Sequence, residues 1–297
     1  MLIIYSDKFL EHNKSTHPEN KNRLLAIKGL LNKYNYTTIE PVDVEDIEEK
    51  IKKVHSEEYV ELIKNSKSGV MLDSDTYVVK ETYGVACKVV AASINAADYA
   101  ADKKNSFALV RPPGHHACKD TGMGFCVFNN IAIAAEYLLS TCKAKKILLL
   151  DIDCHHGNGT QEIFYARKDV YYISLHQYPA YPGTGSADET GVGEGKNYTL
   201  NIPLHPHTTD DEYIEKLKIF RKVAIDYNPD VILVSAGYDT YIDDPLTSMN
   251  ITIDGFGKIS KYIKETTKMT DVGVAFILEG GYNLKGLSEG VLKTIKA

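Results

Sequence analysis

The sequence predicts an α/β domain built on a mainly parallel sheet with helices on both faces. Three observations lead there. Short apolar runs that read as strands recur at residues 107–110, 147–150, 170–174, 231–234 and 274–278. Segments with helical periodicity separate or flank them, at residues 19–34, 57–65, 79–101, 130–141, 210–226, 254–268 and 284–296, and this alternation is that of parallel strands joined by crossover helices. Finally, each apolar run ends in a group of chemically active side chains, and ligands of open α/β sheets bind outside the carboxyl ends of the strands.

Taken in order, residues 1–7 read as a first strand, too short and too soon polar for a signal peptide. The run at 107–110 opens into Arg111-Pro112-Pro113-Gly114-His115-His116. The run at 147–150 is the clearest: Ile147-Leu148-Leu149-Leu150 behind two lysines suits a central strand covered on both faces, and Gly157 and Gly159 break it where a helix can begin. Between them stands Asp151-Ile152-Asp153-Cys154-His155-His156. The later runs end in Leu175-His176, in Ser235-Ala236-Gly237-Tyr238-Asp239 and in Glu279-Gly280-Gly281-Tyr282-Asn283. Five strand ends of this kind converge on one crevice.

At 297 residues, 43% of them hydrophobic, the chain has ample material for a core, and the expectation is one domain over residues 1–297. No stretch is rich enough in Pro, Gly and Ser to be a linker, and no repeat of 20–50 residues recurs. No apolar run approaches the about 20 residues of a membrane helix. The 5 cysteines are odd in number and lack CxxC spacing, which argues against a disulfide framework and a thiolate zinc site and for reduced, buried thiols. A formal charge of -6 gives no hint of nucleic-acid binding, and at most favours a cationic substrate. The expectation is a soluble, cytoplasmic protein without membrane or nucleic-acid partners, its oligomeric state open.

Asp153 and His155 stand two apart, so extended backbone points both the same way, and a carboxylate beside an imidazole suits zinc. Asp239, at a glycine-preceded strand end, supplies a third ligand and leaves a position open. With two carboxylates such an ion is a weaker Lewis acid than an all-histidine one and needs a separate base. His115 and His116 fit, because their Pro-Pro-Gly loop holds the backbone rigid. Asp151 and His156 are candidates for supporting these groups or for proton transfer. Tyr282, at a Gly-Gly strand end, can set a phenol against a carbonyl oxygen and stabilise an oxyanion.

The motifs RPPGHHA, GFCVFNN, DIDCHHGNGTQ, SLHQ, YPGTG, SAGYDTYIDDPL and LEGGYN, with His17-Pro18-Glu19, Arg23 and Val54-His55-Ser56, resemble in order and spacing the zinc-dependent histone deacetylase and acetylpolyamine amidohydrolase family. The resemblance runs from Ser6 to the C-terminus and implies the three-layer α/β/α arginase-deacetylase fold. Carried over residue by residue, it implies Asp153, His155 and Asp239 as zinc ligands, and His115 and His116 as tandem catalytic histidines backed by Asp151 and Asn158. Tyr282 is implied as the carbonyl-polarising tyrosine. Gly124, Phe125 and Tyr181 match the walls of an acyl-lysine tunnel, Leu246 a rim position, and Asp75 the rim aspartate that holds substrate backbone amides. A potassium ion is implied on backbone carbonyls about Asp151, Asp153, His155, Ser174 and Leu175. Asn158, where some branches carry aspartate, resembles the class II pattern and should hold an imidazolium on His116 less firmly than Asp151 holds one on His115. His205 and His207 stand where relatives usually carry glycine and read as surface loop residues, since no carboxylate joins them at ligand spacing.

The resemblance implies a zinc-dependent amidohydrolase that removes acetyl or longer acyl groups from lysine side chains, with His116 as principal base and then acid. A binuclear manganese hydrolase of the same fold would need an Asp-x-Asp pair, where this chain has Gly237-Tyr238-Asp239. Acetylpolyamine hydrolysis shares the catalytic core, but Leu246 stands where some polyamine-selective relatives carry glutamate. A third alternative, a catalytically weak acyl-lysine binding module, sits poorly with a complete set of candidate catalytic residues.

Overall fold

The computed structural model describes residues 1–297. Its centre is a seven-stranded sheet, β1 (Leu2–Ile4), β4 (Asn105–Ala108), β5 (Ile147–Asp151), β6 (Val170–Gln177), β7 (Thr199–Leu204), β8 (Val231–Ala236) and β9 (Gly273–Leu278), in the order β1-β4-β9-β8-β5-β6-β7. Every pairing in it is parallel. A separate two-stranded antiparallel ribbon joins β2 (Val70–Met71) to β3 (Tyr77–Val78).

Parallel strands need long crossovers, and helices supply them. On one side α4 (Thr82–Ala101) and α5 (Asn130–Ser140) pack together against the sheet. The short α2 (Ile47–Lys52) and α3 (Glu57–Asn65) lie against α4, and α6 (Asn158–Phe164) lies against α5. On the other side α1 (Asn22–Lys33), α9 (Leu284–Lys296), α8 (Ile253–Thr270) and α7 (Asp210–Tyr227) pack in a row. The result is the three-layer α/β/α architecture, and the central strands β5, β8 and β9 are buried along their whole length because both faces are covered. No helix is long and apolar enough to cross a membrane.

The chain runs from β5 outward to β6 and β7, then returns to lay β8 and β9 on the other side of β5. That reversal opens a crevice outside the carboxyl ends of β5 and β8, the general ligand position of open α/β sheets.

Several local expectations need correction. The 107–110 run pairs two residues earlier, as Asn105–Ala108, which places Leu109 and Val110 in the buried approach to the His-His loop. Helix 19–34 begins only at Asn22, since Glu19 is taken up by buried ion pairs. The 79–101 helix begins at Thr82, whose hydroxyl accepts the Val79 N–H. Strand β7, the short α2 and the β2–β3 ribbon escaped the sequence reading because each is short and gains its order from neighbours rather than from its own periodicity. Of the cysteines, Cys118, Cys126 and Cys154 are buried, but Cys87 is half-buried and Cys142 exposed; all are free thiols.

Candidate active site

Asp153 and His155 leave β5 at its carboxyl end, and Asp239 leaves β8, its register neighbour. The three offer ligand atoms that lie within 4.8 Å of one another. Their convergence does not arise from strand alternation, because β5 ends at Asp151 and residues 152–155 are turned backbone. Hydrogen bonds make the turn: Asp151 Oδ1 accepts the Asp153 N–H at 3.1 Å, and Asp153 Oδ1 accepts the His155 N–H at 2.9 Å. The Gly280 N–H, beyond β9, donates to Asp153 Oδ2 at 2.8 Å, and the Cys154 N–H donates to Asp239 Oδ1, also at 2.8 Å. Gly237 makes room, since a Cβ there would overlap the Asp153 carboxylate.

The electrostatics of this trio fit a divalent cation. Asp153 and Asp239 are 1% and 0% exposed, and two carboxylates so close cannot both ionise without a compensating charge. Burial and Asp153 push Asp239 up to about 7. Burial alone would lower His155, but its contacts with the two carboxylates raise it to about 10. A proton on His155 Nδ1, 3.0 Å from Asp239 Oδ2 and 3.3 Å from Asp153 Oδ1, therefore stands where a metal ion would balance the same charges. A second trio, His115, Cys126 and Glu279, also has its ligand atoms close together, but His115 is already engaged by Asp151.

The His-His loop follows β4. His115 Nδ1–H donates to Asp151 Oδ2 at 3.0 Å, and His116 Nδ1–H donates to Asn158 Oδ1, at the start of α6, at 2.8 Å. His116, which lines the cavity, keeps Nε2 for chemistry, whereas His115 Nε2 lies 3.7 Å from Asp153 Oδ1. Burial would lower His115, but the Asp153 and Asp151 carboxylates reverse this and hold it well above the ordinary imidazole range. His116 has a neutral partner; burial lowers it, and His115 and His155 lower it further, well below that range. The two imidazoles are thus shifted in opposite directions, with Asp153 and burial contributing beside the Asp151 and Asn158 partners.

Tyr282 lies between β9 and α9. Its backbone N–H and that of Asn283 donate to Asp244 Oδ2 at 2.7 and 3.2 Å, and Asn283 caps α9 through the Lys285 and Gly286 N–H groups. The Arg23 guanidinium sits 5.1 Å from the Tyr282 ring centre, while Phe125 meets that ring edge-on at 5.6 Å. Burial holds the phenol well above its ordinary range, so it remains a proton donor.

A cavity of about 230 Å³ joins these groups to the surface, lined by Asp75, His116, Gly124, Phe125, His155, Tyr181, Leu246 and Tyr282. Every predicted tunnel and rim residue is in that lining. Tyr181 stands edge-on to His116 at 5.2 Å and to His155 at 6.1 Å. His156 is not among them: its ring turns away to Thr184 Oγ1 at 2.8 Å and Gln161 Oε1 at 3.0 Å, so it supports the 181–185 loop rather than the metal trio. His205 and His207 are exposed in the loop after β7. Ser174 is the register partner of Asp151, but β6 runs on to Gln177, so Ser174, Leu175 and His176, expected at a strand end, stand within the strand, where pairing with β7 continues it.

Sequence reasoning quoted Glu19, Arg23, Arg111, Asp244 and Glu279 within motifs but gave them no role, and these residues hold the site without touching its cavity. Glu279 Oε2 accepts the Gly114 and His115 N–H groups at 2.7 and 3.2 Å, its Oε1 has no partner, and burial pushes the carboxyl up to about 7. Arg111 makes a two-pronged bond to Glu19 at 2.8 and 2.6 Å, and Arg23 bridges Glu19 to the carbonyls of Gly281 and Glu279 at 3.2, 2.7 and 2.5 Å. Asp244 ties Tyr282 to the rim, because its other oxygen accepts the Leu246 N–H at 3.0 Å. Asp244 and Arg111 each stand before a proline and Glu279 before two glycines, which marks turns there but says nothing of the partners these side chains find.

Residues 17–297 match the family model described as histone deacetylase domain. A probable deacetylase of Archaeoglobus fulgidus is 39% identical over 96% of this chain and 82% of its own length. Histone deacetylase 10, chloroplastic, of Oryza sativa subsp. japonica is 36% identical over 96% of this chain and 70% of its own. Among solved structures, the HDA15 HD domain superposes with a TM-score of 0.93 at 34% identity, covering 99% of this chain and 87% of that one. The acetylpolyamine aminohydrolase of Burkholderia pseudomallei gives 0.90 at 27%, covering 100% and 98%.

Proposed function

The chain belongs to the histone deacetylase family and is a deacetylase hydrolase, and on that premise we propose that it removes acetyl groups from lysine side chains of peptides or proteins, with zinc as its metal. The observation that carries this reading is the lining of the cavity itself. An aromatic and apolar wall of Phe125, Tyr181 and Leu246 leads inward to His116, Tyr282 and the Asp153-His155-Asp239 trio. A methylene chain fits between flat apolar faces, and an amide at its end arrives where a nucleophile, a base and an oxyanion donor can reach it.

Zinc held by Asp153, His155 and Asp239 would supply Lewis acidity at that end of the cavity when bound. His116 is neutral and its Nδ1–H is committed to Asn158, so its Nε2 accepts the proton of the attacking water and later returns it to the departing amine. His115, its Nδ1–H held by Asp151 and its ring 4.0 Å from that of His116, orients the pair towards the reacting end of the cavity. Tyr282 Oη–H donates to the carbonyl oxygen as it becomes an oxyanion. The carbonyls about Asp151, Asp153, His155, Ser174 and Leu175, where β5 and β6 run side by side, would hold a potassium ion.

At the mouth, exposed Asp75 can accept backbone N–H bonds, which a peptide has and a polyamine lacks. A second reading, acetylpolyamine hydrolysis, draws on the Asp73 and Asp75 carboxylates at the mouth, either of which attracts a distal ammonium. Asp73, however, already spends both oxygens on backbone N–H groups, and Leu246 adds no charge. The deciding experiment compares kcat/KM for acetyl-lysine peptides, longer acyl-lysine peptides and N-acetylated putrescine or spermidine. A tenfold preference for an acetylpolyamine would replace the lysine reading.

A further inference from the structure

Phe125 and its neighbour Gly124 both have left-handed backbone, with φ of 70° and 55°. For an aromatic residue this region is disfavoured and persists only where surroundings impose it. On one side the imposing groups are His116 and Tyr181: a Cβ on Gly124 would come within 2.5 Å of His116 Cδ2 and 3.0 Å of Tyr181 Oη. On the other side stand two side chains of the segment between β2 and β3. Asp73 Oδ2 accepts the Gly124 N–H at 3.0 Å, and Thr76 Oγ1 accepts the Phe125 N–H at 2.8 Å. Thr76 is fully buried.

The same segment carries the rim carboxylate. Asp73 Oδ1 accepts the N–H groups of Asp75 and Thr76 at 3.0 and 2.6 Å, so a single side chain ties the loop bearing Asp75 to the wall bearing Phe125. His17 closes the connection from above. Its Nε2–H donates to the Asp75 carbonyl at 2.9 Å while its ring meets Phe125 edge-on at 4.6 Å. The wall and the rim therefore form one unit, although Phe125 and Asp75 are far apart in sequence.

We propose that Asp73 and Thr76 are positioning residues that determine specificity: they hold the Phe125 wall against the bound chain and fix its distance from Asp75. The inference rests on the acyl-lysine reading for the identity of that chain, but not for the bracket itself. With the bracket intact, a substrate whose backbone reaches Asp75 while its methylenes lie on Phe125 satisfies both contacts at once, and loosening the bracket removes that advantage without touching the metal trio or Tyr282.

The test uses the zinc-loaded protein and its Thr76→Val, Thr76→Ser and Asp73→Asn variants. Hydrogen exchange at the Phe125 amide reports on the bracket directly. Thr76→Val should speed it, raise KM for an acetyl-lysine peptide about tenfold with kcat changed less than about threefold, and weaken an eight-carbon aliphatic hydroxamate about tenfold, as loss of one buried hydrogen bond allows. Acetohydroxamate, too short to lie along Phe125, should bind unchanged, and Thr76→Ser should restore all three values. Asp73→Asn should act in the same direction at the Gly124 amide. Unchanged exchange at Phe125 in Thr76→Val would overturn the proposal, as would equal weakening of the long and short hydroxamates, which marks a general structural loss. If the wild type preferred acetylpolyamines instead, the lysine reading would fail while the exchange data still decided the bracket.

Discussion

The floor of the cavity and its mouth are built in opposite ways. Asp151, Asp153, Asp239, Glu19, Arg23 and Arg111 are all at most 1% exposed, and each is tied to several partners. At the mouth, Tyr181 is 42% exposed and Leu246 43%. A buried charge that loses a partner stays unpaired in a medium that cannot solvate it, whereas an exposed side chain is replaced by water at little cost. The chemistry therefore sits where substitution is punished, and selectivity sits where it is tolerated. The bracket of Asp73 and Thr76 stands between the two.

The hardest test of this contrast removes the floor's metal ligands. Asp153→Ala or Asp239→Ala should abolish zinc binding and lower turnover by ~1000-fold or more, because two ligands cannot hold an open tetrahedral site. Metal content is the readout, and full occupancy in either variant would remove that residue from the ligand set.

Next comes Glu19→Gln, outside the cavity but inside the floor. Its loss leaves Arg111 and Arg23 buried without their anion, and unfolding free energy should fall by about 3–5 kcal/mol in a denaturant titration. The pH dependence sharpens the point. Burial alone would raise the Glu19 carboxyl, but Arg111 and Arg23 hold it at about 2 against an ordinary 4.5. A depressed carboxyl stabilises fully above its unfolded value and loses that stabilisation as pH falls towards the folded one. The gap between wild type and Glu19→Gln should therefore narrow between pH 4.5 and about 2.

Tyr282→Phe, at the boundary of floor and cavity, should lower kcat ~100-fold with zinc and fold intact, as loss of one oxyanion donor does. Near wild-type turnover would exclude the phenol from the reaction.

The smallest effect belongs to the mouth. Leu246→Glu should leave stability within about 0.5 kcal/mol and change relative kcat/KM for acetylated putrescine against acetyl-lysine peptide by about tenfold or less, in favour of the cation. A loss of stability as large as that of Glu19→Gln would erase the distinction between the two regions.

Much of this was written in the chain itself. The run Ile147-Leu148-Leu149-Leu150, closed by the polar and glycine-bearing segment that follows, is too short for a helix and suits the doubly covered central strand it forms. Residue type and position after the strands pointed to the Asp153-His155-Asp239 trio, the two histidines and Tyr282, whereas the cavity walls came from the family resemblance alone. Local pattern was silent wherever a residue's meaning depends on a distant partner. Alternation assigned Asp153 and His155 to one face of a strand, yet their convergence comes from turned backbone and from Asp239 one strand away. His156 looks the equal of His155 until Thr184 and Gln161 claim it. Glu19 and Glu279 stood inside quoted motifs without a role and Asp73 and Thr76 outside them, and all four gain their roles only when folding brings backbone N–H groups and arginines from elsewhere against them. Hydrophobic periodicity is a property of neighbours along the chain, whereas the satisfaction of a buried polar group is a property of neighbours in space.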